Sequence, residues 1–344
     1  MAYTSIDDPS AYFHVQLYTG TGSTQSVGND GNSDLKPDWV WIKKRNSSGN
    51  NSVFDSTRGA TNELVTNGTN SEATDAQLLT QFDTDGFTVG TNSGVNGSSD
   101  TFVAFQWKAN GGTTSTNSEG DINSTVQANT TAGFSIVTFT TDGNTRTVGH
   151  GLGVKPDVIW IASRNVAGGF LVITDAIDGS MDYGVLRNTN AFASIGYDAP
   201  TSSVFSYNDN DTNTQVAYCF AEKQGYSKFG KYTGNGSSDG TFVYTGFKPR
   251  WIMVKRSDTS LYHWRIYDTK RSSSNGGNPL DERVNANLNE AEGTHASDFD
   301  IDALSNGFKL KTSSQINVSN GIYFYMAFAE NPFVTSTGTP TTAR

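Results

Sequence analysis

Three times along the chain a lysine–proline step opens a run of apolar residues. The first copy reads Lys36-Pro37-Asp38-Trp39-Val40-Trp41-Ile42-Lys43-Lys44-Arg45. The second reads Lys155-Pro156-Asp157-Val158-Ile159-Trp160-Ile161-Ala162-Ser163-Arg164, and the third Lys248-Pro249-Arg250-Trp251-Ile252-Met253-Val254-Lys255-Arg256. The three prolines stand 119 and 93 residues apart. That spacing suits repeated domains and is too long for the units of a solenoid. Proline cannot donate to a β-ladder, so it marks a strand entrance. Side chains alternate across a strand, which sends Trp39 and Trp41 to one face and Val40 and Ile42 to the other. Both faces are apolar, so the pattern predicts a central strand buried on both sides, with Lys43, Lys44 and Arg45 leading out to solvent.

The surroundings repeat as well. A short alternating strand precedes each copy, at residues 15–20, 134–139 and 229–234. An apolar strand closes each, at residues 101–107, 215–220 and 322–328. Four of the six tryptophans, Trp39, Trp41, Trp160 and Trp251, lie in the central strands, and Trp107 lies in the first closing strand. Rings that bury about 150–250 Å² each dominate small cores. Pro37, Trp39, Trp41, Pro156, Trp160, Pro249 and Trp251 therefore define the core motif. Abundant Thr, Asn, Ser and Gly, few charges (17%) and many aromatics (12%) favour short strands and turns over a helical bundle.

The expected fold is all-β: three tandem β-sandwich (jelly-roll-like) modules with short peripheral helices. Module one spans residues 1–110, module two 132–225 and module three 226–335. Residues 111–131 contain no aromatic residue and read as a Gly/Ser/Thr/Asn-rich linker. Residues 336–344 read as an extended tail. Weak helical signals lie at residues 72–79 and 280–292.

The net charge of −10 disfavours nucleic acid as a partner, and the chain lacks the basic clusters that anionic membranes attract. No apolar stretch is long enough to span a bilayer. The start carries no signal-peptide pattern, so a product that folds in a cytoplasm is expected. With Cys219 alone, no intrachain disulfide or cysteine-based zinc site is available, and its apolar run predicts a buried, inert thiol.

Motifs suggestive of chemistry fail on context. The run Gly225-Tyr226-Ser227-Lys228-Phe229-Gly230-Lys231-Tyr232 has tyrosine where a P-loop needs Ser or Thr, and it leads into a strand. Gly236-Ser237-Ser238-Asp239-Gly240 fits the spacing of a hydrolase elbow but reads as a hairpin turn. Asp209-Asn210-Asp211 and Asp298-Phe299-Asp300-Ile301-Asp302 begin like calcium loops, then lack the glycine and the distal glutamate. A calcium site assembled from several loops stays open. His14, His150, His263 and His295 are scattered. No catalytic residue, cofactor or metal ligand is expected. Tyr207, Tyr262, Trp264 and Tyr267 lie in or beside polar loops and are the candidates for stacking on sugars.

Three further stretches accompany the first repeat: Phe54-Asp55-Ser56-Thr57-Arg58-Gly59-Ala60-Thr61, Asp85-Gly86-Phe87-Thr88-Val89-Gly90 and the C-terminal Met326-Ala327-Phe328-Ala329-Glu330-Asn331-Pro332-Phe333. Together with the opening Met1-Ala2-Tyr3-Thr4-Ser5-Ile6-Asp7-Asp8, they resemble a family of repeat-bearing virion proteins from tailed phages of marine bacteria, such as cyanophages. The second repeat departs from it, with Ile173-Thr174-Asp175-Ala176-Ile177-Asp178 in place of the Phe-Asp-x-x-Arg-Gly stretch; the third has Arg250 after its proline. The resemblance implies a structural or tail-fibre-like role and carries over no catalytic residue. The expected function is a non-enzymatic virion component, on a tail fibre or other appendage, that binds host-surface glycan. The alternatives are a capsid decoration or head-fibre protein without a receptor and, less in keeping with the motifs, a polysaccharide depolymerase. Expected partners are other virion proteins and further copies of the chain, a trimer being favoured. The expected location is the virion, after assembly in the host cytoplasm and release by lysis.

Overall fold

In the computed structural model, which describes residues 2–272, 277–294 and 299–341, the strand Trp39–Lys44 lies between Asn51–Asp55 and Thr101–Trp107, with Trp41 opposite both Val53 and Phe105. It is the third strand of a six-stranded antiparallel sheet ordered Phe13–Thr19, Thr101–Trp107, Trp39–Lys44, Asn51–Asp55, Gly59–Val65, Ala73–Thr74. A smaller sheet, Gln25–Val27, Phe87–Val89 and Leu79–Phe82, belongs to the same part of the chain. Val40, Ile42, Phe54, Phe87, Val89 and Phe102 form an apolar cluster between the two.

The C-terminal third repeats this order. Ser227–Thr233, Ile322–Pro332, Phe247–Arg256, Arg265–Asp268, Glu282–Asn285 and Gly293–Thr294 form the large sheet; Phe242–Tyr244, Gly307–Leu310 and Ile301–Leu304 form the small one. In the middle third the large sheet runs Phe134–Thr140, Thr214–Phe220, Val158–Ser163, Leu171–Thr174, Asp182–Val185, Ala193–Ser194, and the small sheet is the pair Arg146–Gly149 and Val204–Tyr207. The chain is all-β.

Residues 111–131 are not a linker. Ser115–Asn117 and Ser124–Asn129 add two strands to the edge of the middle sheet, with Val126 opposite Val137. Polar residues hold this edge without an aromatic side chain. Gln127 Nε2 donates to Ser56 Oγ and Thr57 Oγ1, both at 2.9 Å, while its Oε1 accepts from the backbone of Asn110 and Gly112. The two helical signals also fail. Ala73–Thr74 and Glu282–Asn285 pair as strands, because Leu78, Leu79 and Val284 are drawn into cores and sheet pairing overrides a weak local propensity. Among the described residues, helix is confined to Ser93–Asn96 and one 3-10 turn, Pro9–Ala11.

The other face of each central strand points inward. Trp39, Trp41, Trp107, Phe134, Trp160, Tyr218, Phe220, Trp251 and Phe328 belong to one buried cluster drawn from all three parts of the chain. Trp39 stands 5.5 Å from Trp160 and 4.6 Å from Tyr218, and Trp107 stands 5.7 Å from Trp251. The three sandwich-like units are therefore fused around a common aromatic centre and are not beads on a string.

Two backbone hydrogen bonds recur at each joint between them. Glu72 donates to the Arg164 carbonyl at 2.8 Å, Phe192 to Ser257 at 2.9 Å and Glu292 to Arg45 at 2.7 Å. Gly168 donates to Thr69 at 2.8 Å, Leu261 to Thr189 at 2.9 Å and Gly49 to Asn289 at 2.8 Å. First joins second, second joins third, and third joins first: the arrangement is a closed ring with threefold pseudosymmetry. It also changes the fate of the basic residues expected to leave the strand for solvent. Lys43 is buried, and its Nζ donates to the carbonyls of Gly49 and Leu288; Arg45 is held by Glu292.

Two joints are ionic and one is apolar. Buried Arg58 pairs with Asp55 and, through Nη1 at 2.8 Å, with Glu72, whose other oxygen takes Arg164 Nη2 at 2.7 Å. Arg271 repeats this with Asp268 at 2.5 Å and Glu292 at 2.7 Å. Asp55, Thr174 and Asp268 hold matching register positions, opposite Trp39, Val158 and Trp251. Three residues further on, Ile177 replaces the arginine. Phe192 stands where the other joints have Glu72 and Glu292, its ring 5.5 Å from Trp264 and 5.5 Å from Phe324.

Candidate functional site

The core-motif residues are structural. Trp39, Trp41, Trp160 and Trp251 fill the aromatic centre. Pro37 and Pro156 are buried just ahead of their strands. Pro249 lies inside Phe247–Arg256 at a register irregularity, one of the places where a sheet tolerates proline. The aspartate after the first two prolines fastens the loop beyond the closing strand. Asp38 Oδ2 accepts from Ala109 and Gly111, both at 2.8 Å, and Asp157 Oδ2 accepts from Glu222 at 2.8 Å. Arg250 departs from this and donates to Thr269 Oγ1 at 3.0 Å.

Three of the four rings proposed for sugar stacking are enclosed. Tyr207 packs 6.0 Å from Phe139 in the middle sandwich. Trp264 lies in the aromatic centre with Nε1 donating to the Val185 carbonyl at 3.2 Å, and Tyr267 lies inside the third sandwich. Their polar sequence neighbours belong to turns, while the rings belong to sheets. Tyr262 is half-buried, with Arg256 stacked 4.7 Å from its ring centre and Nη1 donating to its hydroxyl at 2.8 Å. Among the described residues, Phe242 and Tyr244 on an outer edge strand are the exposed aromatic rings.

Between two of the discarded rings lies Arg265. In the strand Arg265–Asp268, Ile266 faces the aromatic centre with Trp264, and Tyr267 faces the third sandwich. Arg265 shares the Tyr267 side and opens onto a cleft of about 330 Å³ at the strand's end. Arg283, His263, Asn285, Gln315 and Glu290 help to line it. Arg265 is 5% exposed, and its Nη2 donates to Gln315 Oε1 at 2.7 Å. Both guanidinium groups lie over the Phe299 ring, Arg265 at 4.7 Å and Arg283 at 4.2 Å. The Nε of each arginine and the Oδ1 of Asn285 are buried without a hydrogen-bond partner. Among the described residues, neither arginine has a carboxylate within ion-pairing distance.

The electrostatics follow from that crowding. Burial, together with the neighbouring Arg283, depresses the pKa of Arg265. Fully buried Lys255, on the adjacent strand, is lowered to about 7 by burial and by Arg265. Asn287 Oδ1 accepts from the Trp264 backbone at 3.2 Å, which turns Nδ2 toward His263 Nδ1 at 2.9 Å and leaves His263 Nε2 as a donor. Burial lowers the His263 pKa, with Arg265 adding to the effect. The exposed carboxylate of Glu290 faces this cationic group from the rim.

The site belongs to one repeat only. At the matching register positions the first repeat has Ser52 and Glu63, joined by a 2.5 Å hydrogen bond, and the second has Leu171 and Tyr183. The sequence signal was a charged residue inside the aromatic run Trp264-Arg265-Ile266-Tyr267. Its partnership with Arg283 depends on register across two strands.

The remaining candidates settle into structure. His14 Nε2 meets Asp30 Oδ1 at 3.1 Å, and His150 Nδ1 accepts from the Leu152 backbone at 3.2 Å within a turn. His295 and Asp298 lie outside the described residues. Asp209 Oδ2 accepts from Asn213 Nδ2 at 2.8 Å and Gln215 Nε2 at 2.7 Å. Gly225 turns at φ +78° against Thr4, and Gly236 donates to the Asn317 carbonyl in a turn. Among the described residues, no three His, Cys, Asp or Glu side chains converge as metal ligands, and no helix is long and apolar enough to cross a membrane.

No curated protein and no solved structure matches the chain. The model of a family described as a domain of unknown function, DUF7483, matches residues 8–332, a span that takes in the whole ring, and the chain belongs to that family.

Proposed function

We propose that the chain is a non-enzymatic structural protein of a tailed-phage virion, a tail-fibre or appendage component that binds host-surface glycan. The closed ring carries this reading. Its three sandwich-like units share one aromatic centre and three matching joints, so one chain reproduces internally the closed symmetry that fibre proteins reach by trimerisation. Such a block has fixed geometry, suited to transmitting force and to presenting loops at set angles. The repeat motifs that resemble virion proteins are the residues that build it: Trp39 and Trp41 make the centre, and Asp55 and Arg58 make a joint.

Immunogold electron microscopy of purified virions, with antibody raised against this chain, tests the proposal. Gold on the tail or its fibres is the expected outcome. Gold spread over the head would replace the appendage role with capsid decoration. Unlabelled virions would overturn both.

A further inference from the structure

We propose that the cleft between Arg265 and Arg283 binds the anionic group, carboxylate or sulfate, of an acidic sugar. Three independent observations converge on it. Arg265 is a nearly enclosed cation with no carboxylate in ion-pairing distance among the described residues, and burying an uncompensated charge is costly. Arg283 adds a second positive charge where the first repeat has the carboxylate of Glu63, so this repeat has exchanged an internal acceptor for a donor. Finally, the Nε donors of both arginines and the Asn285 Oδ1 acceptor are buried without partners at a cavity of about 330 Å³.

An anion placed there accepts from the guanidinium groups through charge-assisted bonds. His263 Nε2 supplies a further neutral donor. Asn285 Oδ1 needs a donor, which an inorganic anion lacks and a sugar hydroxyl provides. Leu261, 84% exposed and at φ 77°, offers an apolar rim for the C–H face of a ring. The volume suits one or two sugar residues. Glu290 opposes any anion from the rim and tunes affinity downward. The anion site stands on this geometry; its assignment to a sugar rests on the host-glycan reading above.

Isothermal titration calorimetry of the full chain, at constant ionic strength, tests it with sodium sulfate, glucuronate, glucose 6-sulfate and glucose. Saturable one-to-one binding of glucuronate or glucose 6-sulfate, with none of glucose, is expected. Arg283→Gln should weaken that binding about tenfold or more, the effect of losing a charge-assisted contact. Glu290→Gln should strengthen it about two- to fivefold, as removal of a nearby like charge does. Arg265→Gln provides a second test, provided its melting transition stays cooperative. Sulfate binding without binding of either acidic sugar would overturn the sugar assignment and leave an inorganic anion site. Absence of saturable binding by all the anions, or binding unchanged in Arg283→Gln, would overturn the site itself. Neither result depends on where antibody labels the virion, so the two proposals fail separately.

Discussion

Glu292 closes the ring onto Arg45: its backbone N–H donates to the Arg45 carbonyl at 2.7 Å, and its carboxylate takes the same residue's Nη2 at 2.7 Å. The carboxylate also takes Arg271 Nη1 at 2.7 Å, from a side chain with no solvent exposure. One residue thus sets the backbone register of a joint and neutralises two cations.

Glu292→Ala should cost about 1–3 kcal/mol in urea unfolding, because buried Arg271 loses one of its two carboxylate partners and keeps Asp268. The pseudosymmetric joint at Thr174, Ile177 and Phe192 suggests a remedy. Replacing the three together, Asp268→Thr and Arg271→Ile with Glu292→Phe, removes every buried charge of the joint and should recover most of that loss. A triple variant as unstable as the single one would show that the apolar joint is not transferable.

Trp39→Ala and Trp41→Ala should each cost about 3–5 kcal/mol, the usual penalty for emptying an aromatic core position. Because both rings face the shared centre, unfolding should remain a single transition by calorimetry, with all three units lost together. A fragment of residues 1–110 should show no cooperative melting, since it would expose Trp39, Trp41 and Trp107 to water. Separate transitions in the full chain would contradict the fused core.

Half-buried Glu282 and fully buried Lys255 give stability opposite pH slopes. Burial and the neighbouring Glu292 carboxylate raise Glu282 from 4.5 to about 7, against the pull of Arg45 and Arg271. The folded state then holds the extra proton between pH 4.5 and 7, so this contribution is complete below 4.5 and lost as pH rises to about 7. Lys255 moves the other way, from 10.5 to about 7, through burial and the nearby Arg265 and Arg256, with Asp258 opposing. There the unfolded state holds the extra proton, so stability rises between pH 7 and 10.5. Glu282→Gln should flatten the lower limb of a melting-temperature profile. Lys255→Met should make the upper limb shallower, leaving the contribution of Lys43, which burial lowers to about 8, over the narrower range from there to 10.5.

Cys219 is wholly buried between strands, and burial pushes its thiol up to about 12. Native protein at pH 8 should not react with Ellman's reagent over an hour, while one thiol per chain should react in denaturant. Rapid native labelling would mean that the middle sheet opens far more readily than its packing implies.

Much of this architecture was legible in the repeat. The alternation of Trp39 and Trp41 with Val40 and Ile42 announced a strand buried on both faces, and the structure places one face in a sandwich and the other in the common centre. The Asp55-x-x-Arg58 spacing is legible too, while its counterpart, Asp268-x-x-Arg271, is masked in the sequence by the change from Phe54 to Tyr267. The edge strand Ser124–Asn129 was hidden for a physical reason. It borrows its pairing from Phe134–Thr140, so its own residues carry little periodicity. Tyr207, Trp264 and Tyr267 misled because a polar sequence neighbourhood says where a turn is, not where a ring points.

What the sequence alone determined is therefore local: strand positions, face alternation and the threefold recurrence of one pattern, all set by side-chain periodicity and by proline's missing N–H. Ring closure, the ionic and apolar joints and the Arg265–Arg283 cleft were decided by tertiary structure alone. Each depends on residues far apart in the chain brought together by sheet register, and burial then converts ordinary charges into ones that require a partner.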